Sequence, residues 1–289
     1  MVKLTPGEPQ YAADYDDRAT RSVRAALMEI GQILGSYRGR FVVIGGAVPW
    51  LLLDNPEMPH VGTLDIDLGL DAEALGDGDY ATLIEALMRH GYQQDEGLRR
   101  FQLVRSVPAD DGGPPVRVIV DFLMPKHAEI ERHRPPMVAD FAVQRADGAD
   151  LAIQFQQIVT VDGPMPTGGV NSVKIAVCSI PALLAMKGHA LAGRYKQKDA
   201  YDIFYCIRNY PGGVVALAEA CRPLLLHSSG AQGYRYINEK FVSVDAYGPT
   251  WVRKFIEDSR IAGDITADQW QQDAFGQVDA WLRTLGLRA

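Results

Sequence analysis

A chain of 289 residues that is 47% hydrophobic and 22% charged carries enough apolar material for one large core or two ordinary ones, and reads as a soluble globular protein. No apolar run approaches the ~18 residues of a membrane span, and the opening MVKLTPGEPQ has no signal-type apolar segment, so a cytoplasmic protein with no membrane partner is expected. The net charge of −7 argues against a surface that grips nucleic acid everywhere, but it leaves room for local basic clusters: Arg99, Arg100 and Arg105, or Arg194, Lys196 and Lys198.

In chain order, residues 14–35 have helical amphipathic spacing, with Val23, Leu27, Ile30 and Leu34 on one stripe. FVVI at 41–44 reads as a buried strand, Gly45-Gly46 as a tight turn, and AVPWLLL as a short helix with Pro49 in its first turn. DNPEMPHVG is loop by composition, and TLDIDLGL is a strand by alternation. GDGDY at 76–80 leads into a helix that ends at Gly91. FQLVRSV and PVRVIVDFLM read as strands flanking the turn-rich PADDGGPP. The span 134–178 is expected to be irregular, with short strands in FAVQRA, IQFQQIVTV and VKIAVC. From Ser179 the chain turns helical. Pro181 opens PALLAMKGHALAGRY, Pro211 and Gly212 stop DAYDIFYCIRNY, and Thr266 and Gln269 have capping-box spacing ahead of Trp270, Phe275, Val278 and Leu282. The expected fold class is α+β: a mixed sheet with flanking helices over residues 1–178, then a mainly helical domain over 179–289.

The acids raise the chemical question. Residues i and i+2 of a strand share a face, so Asp65 and Asp67 project together while Leu64, Ile66 and Leu68 face a core. Two carboxylates ~5.5 Å apart repel by ~3 kcal/mol at an effective dielectric near 20, a strain that protonation of one, an arginine or a hard cation such as Mg²⁺ relieves, unless both are simply solvated on an exposed strand face. Asp121 ends a second apolar strand, RVIVD. Three strand-borne carboxylates are the number a two-metal phosphoryl-transfer site uses. A glycine turn opening a helix offers backbone N–H groups to phosphates, or is simply a turn. Further on, Lys187 lies in an apolar helical stripe with Leu183, Leu184 and Leu191, where it either snorkels to solvent or meets an anionic ligand. Asp199 is placed to cap the next helix. Asp202 is placed to pair with Lys198 at i+4 as a surface ion pair, to orient a base or ribose, or to help deprotonate an attacking hydroxyl.

The order of strand, Gly-Gly, helix, D-x-D strand and later aspartate strand resembles the nucleotidyltransferase superfamily of the DNA polymerase beta type. With K-x-x-A-x-x-x-R-x-K-x-K-D-x-x-D at 187–202, residues 40–210 resemble AbiEii-type nucleotidyltransferases, toxins of bacterial abortive-infection and type IV toxin–antitoxin systems. The resemblance implies a nucleotidyltransferase-type sheet and a helical domain that completes the active site. It implies that Asp65, Asp67 and Asp121 ligate two Mg²⁺, that Gly45, Gly46, Thr63, Lys187, Arg194 and Lys198 bind an NTP, and that Lys187 and Asp202 join the three acids in catalysis. In some members nucleotides are added to the tRNA 3′ end, so an RNA acceptor and a cognate antitoxin are the implied partners. The chain departs from the pattern at Val61, where members often carry arginine, and in the stretched DNPEMP loop.

Two alternatives stay open: a small-molecule (antibiotic-type) or protein acceptor, and a catalytically silent binding protein of the same fold. A P-loop and a G-x-S-x-G elbow are missing, and PMPTGG at 164–169 is too irregular for a phosphate loop. Cys178, Cys206 and Cys221, read as reduced thiols, and the scattered His60, His90, His127, His133, His189 and His227 lack zinc spacing.

Overall fold

The computed structural model describes residues 9–37, 39–71, 79–126, 144–257, 259, 261 and 263–289. His127 and His133, the start of GDGDY and the start of FAVQRA lie outside the described residues. The chain divides into two compact units, and both are discontinuous in sequence.

The first unit, Asp17–Val48 with Gly62–Ser179, is built on a sheet. Its elements in chain order are α1 (Asp17–Ile33), β1 (Phe41–Ile44), the start of α2 (Ala47–Leu52), β2 (Asp65–Leu70), α3 (Asp79–Arg89), β3 (Tyr92–Gln93), β4 (Gln102–Val107), β5 (Val116–Pro125), β6 (Gln144–Ala146), α4 (Ala149–Gln154), β7 (Gln156–Pro164) and β8 (Val170–Cys178). The strand order is β3-β4-β5-β2-β1-β8-β7, with β6 pairing to β5 off this path. β2 is central: it runs parallel to β5 and antiparallel to β1. The mixed sheet follows from the connections, since hairpins join β4 to β5 and β7 to β8, while the parallel neighbours are reached by longer excursions. The predicted stripe is buried, with Val23, Leu27 and Ile30 on α1 and Leu34 just past its end all at 0–1% exposure.

One stretch differs from expectation. Within 134–178 the described part is not irregular: β6 forms at the end of FAVQRA, α4 follows, and then β7 and β8 pair along their whole length. Gln156, Gln157 and Thr160 blur the apolar alternation of β7 because it is an edge strand with one side open to water. Gly168 and Gly169, with φ of 94° and 82°, make the hairpin turn that PMPTGG encodes.

The second unit takes the described residues up to Asp16, Pro49–Val61 and Ile180–Ala289. It is helical: α5 (Ile180–Gly193), α6 (Gln197–Arg208), α7 (Gly213–Cys221), α8 (Ser228–Lys240), α9 (Tyr247–Ile256) and α10 (Ala267–Leu285). α5 and α8 cross with their backbones in contact, because a Cβ on Gly188 would come within 2.7 Å of the Gly233 carbonyl carbon. α10 opens with the predicted capping box, Gln269 N donating to Thr266 Oγ1 (3.3 Å) and Thr266 N to Gln269 Oε1 (2.8 Å). Phe204, Tyr234, Trp270 and Trp281 form the aromatic heart of this unit. All three cysteines are free and buried. Among the described residues no helix is long and apolar enough to cross a membrane.

Candidate active site

In the sheet unit, register brings the acids together. Asp67 on β2 pairs with Asp121 on β5 in a parallel ladder, so the two side chains stand next to each other on one face. Asp65, two residues earlier, shares that face. The opposite face is core: Ile66, Leu68, Val120 and Phe122 are fully buried, while the three aspartates are half-buried. Alternation therefore fixes the acids on the accessible side, because a slip of one residue would bury all three. Thr63 Oγ1 donates to Asp65 Oδ1 (2.7 Å), and Gln102, opposite Asp121 on β4, donates through Nε2 to Asp121 Oδ1 (2.8 Å).

The Gly45-Gly46 turn belongs to the same cluster. Ile44 pairs with Asp67, and Gly45 follows with φ of 70°, a left-handed conformation. A Cβ there would lie 2.7 Å from the Asp67 carboxyl carbon, so only glycine lets the chain turn against that carboxylate. The donors on this face are hard oxygens, which suit Mg²⁺ completed by phosphate oxygens and do not suit zinc. Among the described residues, no three His, Cys, Asp or Glu side chains converge into a ready-made metal cage. That is compatible with Mg²⁺, which is commonly held by one or two carboxylates together with substrate phosphates.

The helical unit holds a second charged cluster, buried except for the half-exposed Arg194. Lys187 Nζ lies 2.8 Å from Asp199 Oδ1 and 2.7 Å from Asp202 Oδ2. Arg194 grips Asp199 through two nitrogens (2.8 and 3.0 Å), and Lys198 Nζ lies 2.9 Å from Asp202 Oδ1. His60 Nε2 is 3.0 Å from that same Asp202 oxygen. Asp199 and Asp202 are wholly buried.

A family profile described as "Nucleotidyl transferase AbiEii toxin, Type IV TA system" matches residues 58–280. The chain belongs to the AbiEii family. It is therefore a nucleotidyltransferase of the toxin–antitoxin type, and an antitoxin is its implied partner. The matched span takes in Thr63, Asp65, Asp67, Asp121, Lys187, Arg194, Lys198 and Asp202, and begins after Gly45-Gly46. No curated protein matched the chain. The solved structures that are distantly similar include two proteins. An antigenic nucleotidyltransferase-like protein from Paracoccidioides brasiliensis has 16% identity over 73% of this chain and 93% of its own, with a TM-score of 0.41. JHP933 from Helicobacter pylori has 9% identity over 94% of this chain and 95% of its own, with a TM-score of 0.44.

In this AbiEii chain the buried cluster tunes its own charges. Burial disfavours the Asp202 carboxylate, but Lys187 and Lys198, with the His60 hydrogen bond, outweigh it and hold the carboxyl well below its ordinary range. Asp199 is depressed in the same way, its burial offset by Lys187 and Arg194. Burial likewise opposes the Lys187 ammonium, and the two aspartates more than restore it. Lys198 is lowered, because burial there exceeds what Asp202 returns. Burial takes His60 down to about 4, against the raising effect of Asp202. At neutral pH His60 is thus uncharged, and its Nε2–H must be the donor, since an ionised Asp202 can only accept.

Three sequence readings change here. Lys187 does not snorkel; its ammonium is clamped between two carboxylates. Asp199 is not a helix cap: Lys196 occupies the N-cap position, and the Asp199 oxygens are taken by Lys187 and Arg194. The Lys198–Asp202 pair does form at i+4, but in the interior rather than at the surface. Sequence reasoning missed His60 and Gln102. His60 lies 142 positions from Asp202, and no local pattern links them. Gln102 was accessible in principle by counting back through the β4–β5 hairpin from Asp121.

Proposed function

We propose that this AbiEii nucleotidyltransferase moves a nucleoside monophosphate from an NTP to a hydroxyl at an RNA 3′ end, a tRNA end being the leading acceptor, in a cytoplasmic setting. One observation carries the reading: the β1–β2–β5 register sets Asp65, Asp67 and Asp121 on one accessible face against the Gly45 turn. Asp65, Asp67 and Asp121 would hold two Mg²⁺, which when bound supply positive charge to the phosphates and to the attacking and leaving oxygens. Thr63 and Gln102 fix the rotamers of Asp65 and Asp121, so these carboxylates need little reorganisation on binding. Gly45, which is half-buried, has no Cβ to hinder phosphate approach, and the buried Gly46 leads into α2 behind it.

In the helical unit, Lys187, Arg194 and Lys198 set three positive charges against the two of Asp199 and Asp202, with His60 neutral. The surplus of one positive charge supports an anion-binding role for Lys187, Arg194 and Lys198, with Asp202 as the group that orients them or the attacking hydroxyl.

The test is incubation with labelled NTPs, total tRNA and Mg²⁺, with and without EDTA. Wild-type protein should label the RNA, and Asp65→Asn and Asp67→Asn should each lower labelling at least about a hundredfold while remaining folded. Undiminished labelling by both variants sinks the assignment. The net charge of −7 favours a cationic acceptor as the second reading, so an aminoglycoside arm belongs in the same experiment.

A further inference from the structure

The helical unit carries an aromatic cluster in which Tyr195 is exposed and Tyr247 and Trp251 are half-buried. α5 and α6 are joined by Arg194-Tyr195-Lys196, and Tyr195 is 53% exposed, unusual for a large ring on a tight connection. It is not isolated. On α9, Tyr247 and Trp251 are one turn apart and stack with centroids 4.4 Å apart and planes 26° apart. The Tyr195 ring meets both, 5.8 Å from Tyr247 and 6.0 Å from Trp251. Lys240, at the end of α8, holds its ammonium 5.2 Å from the Tyr247 ring centre.

The bidentate grip of Arg194 on Asp199 anchors the connection immediately before Tyr195, which limits how far that ring can collapse onto the core. The Tyr247 hydroxyl is buried with no hydrogen-bond partner among the described residues. Three contiguous rings thus have the Lys240 ammonium at one margin, while Arg194 and Lys196 flank Tyr195 in the chain, whose net charge is −7.

We infer that Tyr195, Tyr247 and Trp251 form a stacking platform for the bases of single-stranded RNA, with Arg194, Lys196 and Lys240 beside its phosphates. The inference deepens the proposed function and rests on its RNA acceptor. Rings with cations at their margin match what a single strand offers, flat π faces alternating with phosphates. A protein partner would be better served by aliphatic neighbours around the rings, and what stands at the Tyr247 ring is the Lys240 ammonium. A run of three rings also exceeds what the single base of a mononucleotide can cover.

The test is fluorescence anisotropy with a labelled single-stranded RNA octanucleotide ending in a 3′-deoxy residue, and with its abasic counterpart. The 3′-deoxy end cannot react, so binding is read separately from turnover. Tyr195→Ala changes an exposed side chain and should weaken binding of the base-bearing strand about tenfold, while Tyr195→Phe binds like wild type. The abasic strand should bind wild type and Tyr195→Ala alike. Equal binding of the base-bearing strand by wild type and Tyr195→Ala overturns the platform. So does a Tyr195→Ala loss that appears in calorimetric NTP binding and not in RNA binding, which would give the rings to the substrate base. Tyr195-dependent binding without any label transfer to RNA would keep the platform and sink the proposed reaction instead.

Discussion

Acidification should loosen the helical unit through one side chain. His60 is buried at 8% exposure, its ring lying 5.5 Å from the Tyr201 ring and 4.7 Å from that of Tyr205, with Asp202 hydrogen-bonded and the ammonium groups of Lys198 and Lys187 around the same carboxylate. Its pKa falls from 6.5 to about 4 on folding, because burial and the two lysines outweigh the Asp202 hydrogen bond. The unfolded chain therefore takes up the proton first. The stabilisation from neutral His60 is complete above pH 6.5 and is lost as pH falls towards 4. Between pH 7.5 and pH 5 this linkage removes about 2 kcal/mol, and by pH 4 about 3 kcal/mol. Asp199 and Asp202 do not confuse the window: both are depressed from the ordinary 3.8, so their contributions fade only below it. All four tryptophans, Trp50, Trp251, Trp270 and Trp281, belong to the helical unit, so fluorescence-detected urea unfolding reports on that unit. His60→Gln keeps an amide donor for Asp202 without the titration, and its stability should vary less with pH than wild type by about the same 2 kcal/mol between pH 7.5 and 5. Parallel pH profiles for the two proteins would refute the reasoning.

Two glycine substitutions probe close approaches. Gly188→Ala gains up to about 1 kcal/mol of helix propensity but drives a methyl into the Gly233 backbone, and we expect a net loss of about 1–3 kcal/mol in fluorescence-detected unfolding; a stabilised variant would contradict the α5–α8 crossing. Gly45→Ala meets both a left-handed φ and the Asp67 carboxylate, so it should cost about 1–2 kcal/mol in the conformation alone and depress label transfer as Asp67 is displaced. Full transfer activity in that variant would separate the turn from the site.

What the sequence revealed divides by range. β1 begins and ends where FVVI does, α2 and α5 start within a residue of expectation, and the Thr266 capping box forms, because each is set by signals a few residues long. β7 was blurred because an edge strand needs only half an apolar pattern, and α4 was hidden at the head of IQFQQIVTV, where Ile153 and Gln154 end a helix instead of opening a strand. For the site, alternation was enough to pair Asp65 with Asp67. That Asp121 stands beside Asp67 depends on which strands become neighbours, a property of the whole sheet. The anchoring of Asp202 by His60 is longer in range still, and the fate of Lys187 could not be read without knowing that two carboxylates would be buried with it.

The interleaving of the units has a consequence for biosynthesis. Pro49–Val61 belongs with helices that follow Ser179, so this short excursion leaves the ribosome well before its neighbours exist. With 142 positions between His60 and Asp202, translation at ~5–20 residues per second leaves the imidazole without its carboxylate for roughly 7–30 s. By the time Cys178 is added every described strand of the sheet has been synthesised, while α5 to α10 have yet to be made. A nascent chain stalled in that interval carries the three aspartates and lacks the lysine-bearing half, which makes the finished toxin a product of the last third of translation.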